Sequence, residues 1–141
     1  MSRKRVLIIL LLFFSSVEAI AHAAGPLQKD ESFDLFFKDF QKALVTDDKE
    51  KMASMINFPN FTWEENQNLR QVKTKEEFLK NYDKMFTPVI KKKIAAAGKP
   101  TRVDDKTYFL NWYVKDTEYS LDFTRKQGES FKFLGLSLGS R

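Results

Sequence analysis

Residues 108–124 read YFLNWYVKDTEYSLDFT, a stretch in which large apolar side chains recur at every second position. A period of two is that of a β-strand, and the polar residues 115–117 in the middle are typical of a hairpin turn. The second half alternates apolar with polar residues, which places Asp122 on the polar side of its strand. The first half carries two large sets, one at Tyr108, Leu110, Trp112 and Val114, the other including Phe109 and Tyr113. We therefore predict two antiparallel strands, the first with large residues on both faces.

The sequence on either side of this hairpin extends the sheet. Residues 126–129 include Gly128 and favour a second turn, since glycine adopts a positive φ at little cost. Residues 131–138 then predict a last strand, bent at Gly135. A short strand is predicted over residues 101–104, ahead of the hairpin. A further pair of short strands is one interpretation of residues 61–72.

Towards the N-terminus the period of the apolar residues lengthens to that of a helix. Residues 32–46 carry phenylalanines and a leucine at helical spacing, with Phe40 in the middle of the apolar stripe. Asp47-Asp48-Lys49-Glu50 has the pattern of a capping box and predicts a second, short helix. Thr74-Lys75-Glu76-Glu77 is another such box and predicts a third helix, and Pro88 starts a further helical segment. The chain thus reads as helices first and a sheet after them.

This order of elements resembles the nuclear transport factor 2-like superfamily. The resemblance rests on residues 36–49, FFKDFQKALVTDDK, on Asn57-Phe58-Pro59, on residues 75–82, KEEFLKNY, and on the three strands after them. It extends over nearly all of residues 31–139. It implies an α+β fold in which N-terminal helices pack on a curved antiparallel sheet, forming a cone with a pocket at its open end. The same fold hosts enzymes and binding modules, so it does not imply an activity.

The first 23 residues have the layout of a secretory signal peptide. Arg3, Lys4 and Arg5 precede the apolar run of residues 6–14, which is too short to span a bilayer, and Ala21-His22-Ala23 offers a cleavage site. We expect cleavage near Ala23, which leaves a flexible lead-in over residues 24–31 and one domain over residues 32–141. The expected product is periplasmic or secreted, without a stable membrane anchor.

Composition excludes several classes of site in that product. The chain has no cysteine, and its one histidine, His22, lies in the predicted signal peptide. Serine–histidine and cysteine–histidine catalysis, and zinc sites built on thiolate or imidazole, are therefore not expected. The predicted cleavage removes three positive charges and one negative charge, so the formal net charge falls from +5 to +3. We expect no metal, no cofactor and no nucleic acid partner, and no catalytic residue is singled out.

Four aromatic residues are candidates for lining the pocket of the cone. They combine large apolar rings with polar tips, which is the composition of many ligand sites. The alternative interpretation is that the same rings fill the core. The candidates are Trp63, Tyr82, Tyr108 and Trp112.

Phe109 and Tyr113 lie on the opposite side of their strand from Tyr108 and Trp112. One layer of helices cannot cover both faces of a sheet, so one set must meet something else. Phe109 and Tyr113 are therefore candidates for a partner interface. Members of the superfamily that this chain resembles often form homodimers through this face of the sheet. An exposed apolar patch is the alternative.

We interpret the chain as an exported binding or accessory domain that holds a small apolar ligand or a protein partner. One alternative is a small metal-independent enzyme of the isomerase or hydratase kind, which would use Asp or Glu with Tyr. Against it, Asp122 is predicted to face away from the apolar side of the sheet. A further alternative is an envelope inhibitor or immunity-type protein that acts through its sheet face. The sequence favours a role without catalysis.

Overall fold

The computed structural model describes residues 26–65 and 67–140, so the predicted signal peptide, residues 1–23, lies outside the described residues. None of the helices in these two ranges is long and apolar enough to cross a membrane. The elements in chain order are α1 Pro26–Val45, α2 Lys49–Ser54, β1 Phe61–Glu65, β2 Asn68–Val72, α3 Lys75–Met85, α4 Pro88–Ala95, β3 Thr101–Arg102, β4 Thr107–Val114, β5 Thr117–Thr124 and β6 Lys132–Ser140.

Helix α1 begins at Pro26 and so includes most of the segment predicted as a flexible lead-in. The helix was predicted to start at residue 32, so the prediction placed its start too late. Proline is well suited to the first turn of a helix, because its missing N–H would have no partner there. The predicted apolar stripe is confirmed, since Phe33, Phe40 and Leu44 have no exposed surface.

Side-chain hydrogen bonds fix the starts of α2 and α3: the cap of α3 is Thr74, as predicted, whereas the cap of α2 is Asp48, one residue after the first residue of the predicted capping box. Asp48 Oδ1 accepts from the Lys51 N–H at 3.0 Å, and Thr74 Oγ1 accepts from the Glu77 N–H at 3.2 Å. The Glu77 carboxylate in turn accepts from the Lys73 N–H at 3.0 Å. These bonds satisfy N–H groups that have no partner inside a helix, and so they fix where α2 and α3 begin.

The six strands form one sheet in the order β2-β1-β6-β5-β4-β3. Neighbouring strands are antiparallel except β1 and β6, which pair in parallel. The sheet is therefore mixed, whereas the sequence predicted it as antiparallel. The parallel pair needs Gly135, because a Cβ there would lie 2.5 Å from Thr62 Oγ1 and 3.0 Å from the Thr62 carbonyl oxygen.

The fold class is α+β, as predicted, with helices followed by a six-stranded sheet. A β-bulge shifts the β5–β6 register between Asp122, which pairs with Gly135, and Phe123, which pairs with Phe133. Bulges bend and twist a strand, which accounts for a bend next to Gly135. The helices pack on the face of the sheet that carries Phe123 and Phe133. We call it the inner face.

Candidate functional site

The inner face of the sheet carries three rows of side chains that run across the strands. Strand register sets which residues share a row, because directly paired residues point to the same side. The closed row is Tyr108, Phe123 and Phe133; the middle row is Leu110, Leu121, Leu136 and Trp63; and the open row is Trp112, Tyr119 and Leu138.

The closed row lies under α1 and is fully buried. The Phe33 ring stacks on Tyr108 with 3.6 Å between ring centroids and 6° between the planes. Phe40 contacts the other two members edge to face, at 5.3 Å from Phe123 and 5.0 Å from Phe133. Every member of the closed row has at most 1% of its surface exposed. These rings are in direct contact and form a buried part of the core.

The open row is packed less completely. Trp112, Tyr119 and Leu138 are all half-buried. The rings of Trp112 and Tyr119 stack in parallel, with 5.3 Å between centroids and 10° between planes. Trp112 Nε1 is buried without a hydrogen-bond partner in the described part of the chain. A buried indole N–H normally has an acceptor, so this atom is an unsatisfied donor, and a group that reaches it by displacing the surrounding side chains would accept from it.

The structure separates the four residues predicted to line a pocket. Tyr108 and Trp63 are 1% and 3% exposed and belong to the core cluster, as does Tyr82 of α3. Trp112 alone of the four lies in the open row. The packing of the first three favours the alternative of a filled core, and their role as ligand contacts stays a prediction. Sequence reasoning did not single out Tyr119, although its alternation with Leu121 places it on the inner face.

Tyr82 lies at the junction of α3 with α4 and the turn between α1 and α2. The ammonium groups of Lys49 and Lys91 lie 5.0 and 5.1 Å from the centre of its ring. Its hydroxyl is buried beside the Asp47 carboxylate, and among the described residues it makes no hydrogen bond of ordinary length and angle. Burial, reinforced by the nearby Asp47 carboxylate, raises the pKa of Tyr82 well above its ordinary range. The hydroxyl therefore stays protonated at neutral pH.

Asp47 and two lysines surround this tyrosine on the solvent side. A hydrogen bond from Lys91 lowers the pKa of Asp47 below its usual value. Lys49 pairs with Asp83 at 2.8 Å. Both lysines already have carboxylate partners, so the cluster is an ion-paired junction between helices and not a free anion site.

The outer face of the sheet carries Phe109 and Tyr113, as predicted. Phe109 is half-buried and Tyr113 is 45% exposed. Asp122 pairs with Phe109 in the β4–β5 register and so also lies on the outer face. Partial burial raises the pKa of Asp122. This carboxyl, whose pKa is raised, thus lies on the opposite side of the sheet from the apolar inner face.

Three surface clefts lie away from the open row. One of about 280 Å³ separates α1 from the C-terminal end of α4, where Gln41 Nε2 donates to the Ile94 carbonyl at 2.8 Å. One of about 250 Å³ lies between α1 and α2, and one of about 350 Å³ is lined by Lys106, Arg125 and their neighbours. Within residues 26–65 and 67–140, no three acidic, histidine or cysteine side chains come together as a metal site.

No model of a protein family matches the chain, and no curated protein matches its sequence. Among solved structures, the chain is similar to a protein from Shewanella frigidimarina described as a "putative ketosteroid isomerase". The two are 11% identical, the match covers 79% of this chain and 97% of that chain, and the TM-score is 0.46. A likeness at this level assigns no activity to this chain.

Proposed function

We propose that the chain is an exported binding domain that holds a small apolar ligand against the open row of its inner sheet face. The observation that carries the proposal is the half-buried Trp112–Tyr119 stack with its unpartnered indole N–H. Aromatic faces provide apolar contact area at low entropic cost, and one donor in an apolar surface fixes a ligand's orientation. The expected ligand is neutral and carries one hydrogen-bond acceptor on an apolar body.

The charges of the described residues agree with a neutral ligand. No charged side chain is buried in the described part of the chain. At the open end, the half-buried Glu64 carboxylate accepts the Leu138 N–H at 3.0 Å, which occupies one of its oxygens. An anionic ligand would lose its hydration at the open row without gaining an opposite charge there.

The binding role is better supported than the isomerase or hydratase alternative. General acid–base chemistry needs a carboxyl or phenol within hydrogen-bond reach of the bound substrate. Asp122 has a raised pKa but lies on the outer face, and the Tyr82 hydroxyl belongs to the helical junction. Neither of these two groups belongs to the open row. Tyr119 supplies a phenol there, but the half-buried carboxylate at that end, Glu64, already accepts the Leu138 N–H.

Titration with Nile red, a neutral apolar dye with a carbonyl acceptor, tests the proposal. We expect saturable binding with one site per chain, followed by the fluorescence of the dye. Trp112→Phe keeps a ring for the Tyr119 stack but removes the N–H. Because one hydrogen bond contributes about 0.5–1.5 kcal/mol, the variant should weaken binding by roughly 2–10-fold.

Trp63→Phe is the matched control, since Trp63 is the other tryptophan and lies buried in the middle row. It should bind the dye as the unaltered protein does. Binding that does not saturate, or equal affinity for both variants, would show that the open row is not the site.

A further inference from the structure

The outer face of the sheet carries a half-buried carboxylate without a counter-charge. Asp122 of β5 lies directly opposite Phe109 of β4, and Gly135 of β6 lies opposite it on the other side. Within residues 26–65 and 67–140, the Asp122 carboxylate accepts no hydrogen bond and joins no ion pair. Its pKa is raised by burial, so this group has lost part of its hydration without a compensating partner.

Apolar residues on both neighbouring strands account for this loss of hydration. Phe109 is half-buried, but it neither belongs to the hydrophobic core nor packs against it. In β6, the bulge leaves Leu134 without a residue opposite it on β5. Leu134 is also half-buried outside the core. Asp122 therefore has a half-buried apolar residue on each neighbouring strand.

The charges of the outer face are acidic where it crosses β4, β5 and β6. Strand register defines three rows: Phe109, Asp122 and Gly135; Asn111, Ser120 and Ser137; and Tyr113, Glu118 and Gly139. The charged members of these rows are Asp122 and Glu118, and Glu118 accepts from Asn111 Nδ2 at 3.1 Å. Lys132, at the start of β6, donates to the Ser54 carbonyl at 2.8 Å and so does not neutralise Asp122. A partner that covers these rows is therefore expected to bring a positive charge.

We infer that the outer face docks a partner protein through an arginine of that partner, which pairs with Asp122 and stacks on Phe109. An arginine fits both groups, because its planar guanidinium donates two parallel hydrogen bonds to a carboxylate and stacks on aromatic rings. Directly paired residues of neighbouring strands have Cβ atoms about 4.5–5.5 Å apart, so one guanidinium can contact both side chains. A lysine would supply the charge without the planar surface.

A protein is the expected partner because Asp122 lies on an open face. None of the three surface clefts is lined by Asp122. A small cation bound there would stay in contact with water and gain little from the ion pair. A protein surface around the arginine excludes water from the pair, which strengthens it. This docking surface is independent of ligand binding, because the open row lies on the inner face.

Nitrogen–proton NMR with a capped peptide of sequence leucine-arginine-leucine tests this docking surface. We expect saturable shifts of the backbone amide signals of Phe109 and Asp122. A peptide with citrulline in place of arginine has nearly the same shape but no charge. It should bind about tenfold more weakly, because hydrogen bonds between charged groups are stronger than those with a neutral donor. The lysine peptide should bind roughly 2–5-fold more weakly than the arginine peptide, since its ammonium does not stack on the ring.

Variants of the two contact residues separate the effect of the charge from that of the ring. Asp122→Asn should weaken binding of the arginine peptide by about tenfold or more. Asp116→Asn is the matched control, because it removes the same charge from an exposed turn between β4 and β5, and it should leave the affinity unchanged. Phe109→Leu keeps an apolar side chain but removes the ring. It should weaken binding of the arginine peptide by roughly 2–5-fold and abolish the preference for arginine over lysine.

Three other results would overturn the inference. The first is equal affinity for the arginine and citrulline peptides, or shifts confined to the inner face. The second is unfolding of Asp122→Asn, followed by circular dichroism, which would show that the carboxylate has a structural role; we expect this variant to stay folded. The third is a set of shifts at Phe109 and Asp122 that appears on concentrating the protein without peptide, which would place a second copy on this face.

Discussion

The closed row and the open row of the inner face arise from the same alternating sequence but differ in what covers them. Tyr108 and Trp112 both lie on the inner side of β4, yet Tyr108 is 1% exposed and Trp112 is half-buried. The Phe33 ring of α1 stacks directly on Tyr108. At the open end, Trp112 stacks on its neighbour in the sheet, Tyr119. Helix packing therefore decides which end of one strand pair is fully buried and which is only half-buried.

The largest difference between the two rows is expected in their contributions to stability. Phe40 has no exposed surface and contacts both Phe123 and Phe133 of the closed row. Phe40→Ala should lower the free energy of unfolding by about 3–5 kcal/mol, because it leaves a cavity that the surrounding rings cannot fill. Urea denaturation measures this change.

Tyr119→Ala in the open row is the comparison for that experiment. The Tyr119 ring is half-buried and one of its faces contacts Trp112. Tyr119→Ala should therefore lower the free energy of unfolding by less than half as much as Phe40→Ala does. Equal losses for the two variants would contradict the division into a closed and an open end. A loss under about 1 kcal/mol for Phe40→Ala would show that α1 does not close the core.

The alternation and the helical period predicted much of this fold, because each depends on local spacing. The register of β4 and β5 places Tyr108, Leu110 and Trp112 on one face, as their spacing indicates. The parallel pairing of β1 with β6 was not predictable in the same way. It joins Thr62 to Gly135, which are separated by about half of the chain, and neither residue carries a local signal for the other.

The candidate site was only partly predictable for a related reason. Sequence spacing assigned Tyr108 and Trp112 to one face but could not show that Phe33 covers the first and leaves the second accessible. Tyr82 has the apolar ring and polar tip that are typical of a pocket residue. In the structure, however, its ring contacts Lys49 and Lys91 at a helical junction. Which rings fill a core depends on tertiary packing, which a pattern of residue types does not contain.

The two buried polar atoms without partners should differ in their effects. The Tyr82 hydroxyl lies among packed helices, so Tyr82→Phe removes an unsatisfied group without opening a cavity. Stability at neutral pH should stay the same or rise by up to about 1 kcal/mol, and Nile red binding should not change. A loss of more than about 1 kcal/mol in urea denaturation would show that the hydroxyl has a stabilising partner.

The same variant has a signature at high pH. Because the pKa of Tyr82 is higher in the folded protein than in the unfolded chain, loss of the proton favours unfolding. Below the unfolded pKa of about 10 the hydroxyl is protonated in both states, so this destabilising effect is absent there. Above that pH the unfolded chain loses the proton first, so stability falls as pH rises towards the folded pKa. Tyr82→Phe should make this alkaline fall less steep, and an unchanged slope would contradict the assigned shift.

The most direct test of the open row is the pair of indole N–H signals in a nitrogen–proton NMR spectrum. Trp63 and Trp112 each give one such signal, which the single Trp→Phe variants assign. On adding Nile red, the Trp112 signal should move downfield as its N–H gains an acceptor, while the signal of the buried Trp63 should stay in place. A Trp112 signal unchanged at saturating dye, or a larger shift at Trp63, would contradict the account of the open row as the binding site.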